Sequence, residues 1–180
     1  MTVAVPETVR LFFALWPDPS IAEKMHRLAR RYVDQYGGRA MRPETLHLTL
    51  AFLGDLPATR LQDALAAGTE VHAAAFQFVL DRIGYWRHNR LLWAGCGIAD
   101  PALSALAATL HKRLQEHGFV LEKRGFVPHL TLARNLIRKP VGEEAMPVAG
   151  WHARAFVLVR SAPLAAGAAY QVVGEWPLEN

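Results

Sequence analysis

Cysteine occurs once in these 180 residues, as Cys96. A single thiol excludes a disulfide framework and a thiolate metal cluster. Its place in the apolar run Leu91 to Ile98 reads as a small core residue. Long apolar segments are missing too. Stretches such as Leu11 to Trp16 fall far short of the ~20 residues that span a bilayer, so no membrane partner is expected. Met1 to Arg10 lacks a basic head followed by an apolar segment, which predicts no secretion signal and fits a cytoplasmic protein. Glycine-rich phosphate loops, a nucleophile elbow and a dinucleotide fingerprint are likewise missing. The net charge is only +4. The basic residues are scattered and form no tail, so most read as solvated surface, with a mild bias toward anionic partners.

What remains is ample material for a core. The chain is 52% hydrophobic, and a chain of this size buries roughly 70% of its unfolded surface. We expect one domain over residues 1–180, made of two lobes. Val9 to Leu15 reads as a strand. Asp18-Pro19 starts a helix with apolar residues at helical spacing, stopped by Gly37-Gly38. Arg39 to Arg42 reads as a short strand, Pro43-Glu44 as a turn, and Leu46 to Leu53 as a strand closed by Gly54-Asp55. A second helix follows Pro57. Phe76 to Tyr85 and Arg90 to Ile98 read as strands joined around His88-Asn89. Asp100-Pro101 repeats the Asp-Pro helix start, and Gly118 ends that helix. Phe126 to Arg134, Arg154 to Arg160 and Ala169 to Trp176 are further strands, and Pro140 to Gly150 is a loop. Helices separated by hairpin-like strands favour an α+β fold with antiparallel or mixed sheets. The strand-helix-strand rhythm comes twice, which predicts a bilobal fold: two pseudo-two-fold-related lobes with helices outside and a central cleft.

The strongest signal is a repeated string. His47-Leu48-Thr49-Leu50 recurs as His129-Leu130-Thr131-Leu132. In an extended strand, alternate residues share a face. Each copy therefore sets an imidazole beside a hydroxyl on one face and two leucines on the other. Two such strands facing each other surround one small space with two His and two Thr. That inventory suits phosphodiester cleavage. One imidazole removes a proton from the nucleophile, the other protonates the leaving oxygen, and each positioned group contributes about 10²- to 10⁴-fold. The hydroxyls can hydrogen-bond to oxygens that gain charge. The two imidazoles must hold opposite protonation states, so their surroundings have to separate them or let them share one proton. A zinc site is the rival reading, but neither motif has a second ligand at metal spacing. No metal and no cofactor are expected. The other histidines (His26, His72, His88, His111, His117 and His152) read as surface or packing residues.

The chain resembles the 2H phosphoesterase superfamily, and within it the LigT-type RNA 2′,3′-cyclic phosphodiesterases. The likeness lies in Arg10 to Ala14, in Leu46-His47-Leu48-Thr49-Leu50-Ala51-Phe52-Leu53-Gly54, in Phe126-Val127-Pro128-His129-Leu130-Thr131-Leu132-Ala133-Arg134, and in the ending Tyr170 to Leu178. The resemblance implies a bilobal α+β fold and metal-independent hydrolysis of a 2′,3′-cyclic phosphate to a 2′-phosphomonoester. It implies His47 as proton donor to the 3′ oxygen, His129 as acceptor from water, and Thr49 and Thr131 as phosphate holders. The sequence itself is symmetric between the two His. Arg134 is a candidate phosphate contact, although its odd offset from His129 puts it on the wrong face unless a bulge intervenes. Arg42 and Arg124 are weaker candidates. Phe13 or Trp16 offers a surface for base stacking, worth about 1–3 kcal/mol, with core packing the favoured alternative for Phe13. The expected partner is RNA with a 2′,3′-cyclic phosphate end, or a cyclic nucleotide. Reverse reaction with a 5′-hydroxyl gives a 2′–5′ linkage. Because the chain carries both motifs, it fits a monomer. The alternatives are an RNA-end binding module with residual chemistry, and a phosphodiesterase for ADP-ribose cyclic phosphate or 2′–5′ oligonucleotides.

Overall fold

The computed structural model describes residues 7–123, 125–141, 146–164 and 167–179. In chain order these hold β1 (Thr8–Leu15), α1 (Pro19–Tyr36), β2 (Arg39–Ala40), β3 (Leu48–Pro57), α2 (Leu61–Thr69), β4 (Phe76–Leu80), β5 (Arg82–Trp86), β6 (Leu91–Gly95), α3 (Pro101–Glu116), β7 (His129–Arg134), β8 (Ala149–Ala153), β9 (Ala155–Leu164) and β10 (Gly167–Pro177). Short 3₁₀ turns fill Pro43–Thr45 and Ala58–Arg60. No helix among these residues is long and apolar enough to cross a membrane.

The main sheet is open, with strand order β10-β9-β1-β3-β7-β6-β5 and β2 attached to β7. Its ladders are antiparallel. A separate ribbon pairs β4 with β8. The architecture is therefore α+β, as expected. The order reads outward from the β3–β7 junction as two similar halves, each with a motif strand beside the strand that precedes a helix. At the junction β3 and β7 share one rung, Leu48 opposite Leu130. Ala133 pairs with Leu92 of β6 and with Ala40 of β2. β2 therefore lies along the edge of β7 that faces β3 and wedges the two motif strands apart beyond that rung.

Strand alternation decides which face meets the helices. Leu11, Phe13, Leu15, Leu48, Leu50, Leu130 and Leu132 are buried in one core with the apolar stripes of α1 (Met25, Leu28, Tyr32) and α3 (Leu103, Leu106, Leu110). A small second cluster (Phe12, Ala14, Val157 and Val159, with Trp16 and Tyr170 beside it) covers the other face. Helices and strands are cross-laced: α1 also packs on β7 and α3 on β3. Tyr36, at the end of α1, accepts hydrogen bonds on its carbonyl from the amides of Ile137 and Arg138. Cys96 packs half-buried against the core, and burial together with Asp100 and Asp81 pushes its thiol up to about 11.

Several boundaries differ from the sequence reading. Asp18 makes no side-chain cap, although Pro19 opens α1; at α3, Asp100 does cap, accepting from the Leu103 amide at 2.9 Å. β3 does not stop at Gly54 but runs on to Pro57 with Gly54 at φ +75°. The apolar run Phe76 to Tyr85 breaks at Asp81 into β4 and β5, which serve different sheets; the Asp81 carboxylate accepts from the Gly97 amide at 2.6 Å. β8 begins inside the expected loop, because Ala149, Trp151 and Ala153 alternate inward against the β4 edge.

Candidate functional site

The motif strands behave as their alternation requires. Leu48, Leu50, Leu130 and Leu132 are buried, whereas His47, Thr49, His129 and Thr131 line a cleft on the face away from the helices. Continuing the Leu48–Leu130 register by one residue each way sets His47 across from Thr131 and Thr49 across from His129. The two imidazoles are then diagonal cross-strand neighbours, a separation of roughly 7–8 Å that leaves room for a phosphate between them.

Each motif strand carries the same irregularity. Ala14 pairs with Thr49 and Phe13 with Ala51, leaving Leu50 as an extra residue; Trp93 pairs with Thr131 and Leu92 with Ala133, leaving Leu132 extra. A bulge at the same motif position in both strands buries two successive residues and reverses the alternation beyond them. Arg134 is thereby turned back toward the His129 face and lines the cleft. The bulge that its odd offset demanded is present. The exact repeat also extends one residue further than the tetrapeptide, through Ala51 and Ala133. At the next position the halves part: Phe52, 46% exposed, stands where the other half has Arg134. The bulged carbonyls are satisfied from the opposite half, Leu50 by His111 Nε2 of α3 at 2.9 Å and Leu132 by the Met41 amide at 2.8 Å.

Both imidazoles are anchored alike. His47 Nδ1 donates to the Thr45 carbonyl and His129 Nδ1 to the Val127 carbonyl, each at 2.8 Å. A carbonyl only accepts, so Nδ1 must carry hydrogen and Nε2 is left for the cleft. Their surroundings differ. His47 is sandwiched by Phe12 and Trp16, with ring centroids at 4.7 and 5.2 Å, and meets the edge of Tyr170 at 5.2 Å. Burial there lowers its pKa to about 4; the Thr45 hydrogen bond opposes this, while the Arg134 and His129 charges add to it. His129 meets Trp86 edge-on at 4.5 Å. Its pKa is also lowered, first by burial and then by Arg134, against the Val127 hydrogen bond.

Other expected residues divide. Arg42 lines the cleft and pairs with Glu44 at 3.3 Å. Arg124 lies outside the described residues. Phe13 requires correction: it is 0% exposed and packs against Phe156 and Trp176 on the helix side. It shares a strand face with Leu11 and Leu15, so its neighbour Phe12 turns to His47 instead. Trp16 also reaches His47, but as a wall of the imidazole. Tyr170 and Trp86 are site residues that strand patterning could not find, because nothing local ties β10 or the β5 end to the motifs. Of the other histidines, read as surface or packing residues, His111 packs part-buried beneath the first motif with its Nε2 on the Leu50 carbonyl, and His88 lines one side of the cleft.

Two hollows open from this centre. One, of about 550 Å³, runs from His47 and Thr49 past Tyr170 to Arg10, Arg39 and Arg42. The other, of about 920 Å³, touches both imidazoles and Thr131 and extends to Trp86, His88 and Phe126. Arg134 and Phe52 border both. Among the described residues no three His, Cys, Asp or Glu side chains group as metal ligands.

Comparison with known proteins converges on one family. Residues 15–93 match the family model described as LigT like Phosphoesterase. The RNA 2′,3′-cyclic phosphodiesterase of Escherichia coli strain K12 is 31% identical over 129 residues, 72% of this chain and 73% of that protein. The RNA 2′,3′-cyclic phosphodiesterase of Thermus thermophilus is 28% identical over 181 residues, 96% of this chain and 91% of that one. The crystal structure of E. coli LigT complexed with 3′-AMP superposes with a TM-score of 0.86 at 26% identity, covering 97% of this chain and 100% of the other. With its two His-x-Thr strands and this similarity along most of its length, the chain belongs to the LigT-like phosphoesterases of the 2H superfamily.

Proposed function

We propose that this protein hydrolyses 2′,3′-cyclic phosphodiesters at RNA ends, or on nucleotides, to 2′-phosphomonoesters without a metal ion. The observation that carries the reading is the pair of imidazoles on adjacent strands, each with Nδ1 tied to a carbonyl and Nε2 left for a phosphate between them. The relatives named as RNA 2′,3′-cyclic phosphodiesterases support the substrate class.

In this mechanism His129, neutral, accepts a proton from water as its oxygen attacks phosphorus. The bond from phosphorus to the 3′ oxygen breaks, and that oxygen takes a proton from His47. Solvent then resets the two imidazoles. Thr49, Thr131 and Arg134 hold the non-bridging oxygens and oppose the charge that builds on them. The family resemblance supplies the assignment of His47 as acid; its environment makes that role demanding. With a pKa of about 4, roughly one free molecule in 10³ carries the protonated ring at pH 7. A bound phosphate offsets the Arg134 charge and raises the pKa toward the working range. Once protonated, a ring that burial holds at low pKa is a strong proton donor. One copy of the chain supplies both motifs and therefore a complete site.

The test is turnover of 2′,3′-cyclic AMP in excess chelator. The proposal expects 2′-AMP as product; no turnover, or 3′-AMP as product, contradicts it. The rival reading, an RNA-end binding module, expects tight, salt-dependent binding with negligible product.

A further inference from the structure

We infer that the smaller hollow is a subsite for the strand upstream of the reacting end, with the preceding internucleotide phosphate held by Arg39 and Arg42, so that oligonucleotides are favoured over cyclic mononucleotides. The inference rests on the proposed function and on His47 acting as the acid. In-line attack puts water and the departing 3′ oxygen on opposite sides of phosphorus. If water enters beside His129, the ribose lies beside His47, and the strand leaves along the hollow that His47 borders and His129 does not.

That hollow has the chemistry of a phosphate path. Four guanidinium groups line it (Arg10, Arg39, Arg42 and Arg134) and, among the described residues, no carboxylate does. One reacting phosphate occupies Arg134; the remaining cations exceed what a single anion needs. Arg10 is held by Asp55 through two 3.0 Å contacts, and Arg42 by Glu44. These pairs are exposed, and such pairs are worth at most about 1 kcal/mol, so an incoming phosphate can displace a carboxylate. Arg39 reaches across from β2 to the start of β10: a Cβ on Gly167 would come within 3.1 Å of its Nη1. Its guanidinium therefore bridges the two banks of the hollow. The walls between the cations are Phe12, Phe52 and Tyr170, which suits a sugar and base between two phosphates. The larger hollow has Arg134 as its one guanidinium and Glu122 beside otherwise uncharged linings that include Trp86 and Phe126.

The test compares kcat/KM for 2′,3′-cyclic AMP with that for an ApA dinucleotide ending in 2′,3′-cyclic phosphate, and with the same dinucleotide carrying an uncharged methylphosphonate linkage. The wild type is expected to prefer the charged dinucleotide by about tenfold or more, with a preference that shrinks as salt rises. The methylphosphonate should lose most of that gain. Arg39→Gln and Arg42→Gln should each lower the ratio of dinucleotide to mononucleotide turnover severalfold. A wild-type ratio within twofold of one, an uncharged linkage as good as the charged one, or variants that slow both substrates equally would overturn the subsite. Failure of cyclic AMP turnover itself would instead strike the proposed function.

Discussion

Replacing His47 with asparagine tests how deeply its ring is enclosed, through stability rather than catalysis. The asparagine amide can still donate to the Thr45 carbonyl, but it cannot be protonated. In the wild type the folded-state pKa of about 4 lies below the ordinary 6.5. As pH falls, the unfolded chain binds the proton first, so stability is lost between pH 6.5 and 4 and is intact above that window. Integrating that shift gives a loss, relative to pH 7, of about 2 kcal/mol by pH 5 and about 3 kcal/mol by pH 4. Carboxylates and other groups titrate in both proteins and cancel in the difference. Urea unfolding of wild type and His47→Asn at pH 7, 5 and 4 reads the quantity directly. The variant should gain on the wild type by those amounts as the pH drops. A difference constant to within about 0.5 kcal/mol would refute the idea that the aromatic sandwich keeps His47 neutral.

Four further outcomes follow from the same geometry. Removing the Arg134 charge (Arg134→Gln) relieves a positive neighbour of both imidazoles and so raises both pKa values; an NMR titration should show both rings shifting upward, with kcat/KM falling at least tenfold. Phe12→Ala opens one side of the sandwich, and His47 should titrate closer to 6.5. For the wild type, kcat/KM should rise as pH falls below 7 until His129 also protonates, and an optimum above pH 7.5 would contradict the depressed His47. Gly84→Ala forces a Cβ to within 2.0 Å of the Trp93 ring, and denaturation should show a cost of about 1–3 kcal/mol as the second half of the cleft repacks.

Much of the centre was legible because strand alternation is a strict period of two. The tetrapeptide His-Leu-Thr-Leu fixes which side chains enter the core, and all four leucines are buried. The helix starts at Asp18-Pro19 and Asp100-Pro101 were equally legible, since proline fits the first turn and little else in a helix. Alternation failed where a bulge reverses it. Nothing local in the sequence around Leu132-Ala133 states that both residues point inward, so the direction of Arg134 had to come from pairing with β6. Phe12 and Phe13 are adjacent aromatics in a strand nearly buried on both faces, and burial pattern alone could not choose between them. Tyr170 and Trp86 reach the site through sheet order, which depends on pairings between distant segments. The sequence is also silent on what distinguishes the two halves. The structure places an aromatic sandwich around one imidazole and a single tryptophan edge on the other, and it sets Phe52 opposite Arg134.

The claim beneath all of this is that the two imidazoles serve one phosphorus atom in complementary roles. Its most direct measurement is the rate of 2′,3′-cyclic AMP hydrolysis by His47→Asn and His129→Asn, each shown by circular dichroism to be folded. Each variant should lose about 10²- to 10⁴-fold in kcat. Either variant retaining activity within tenfold of the wild type would contradict it.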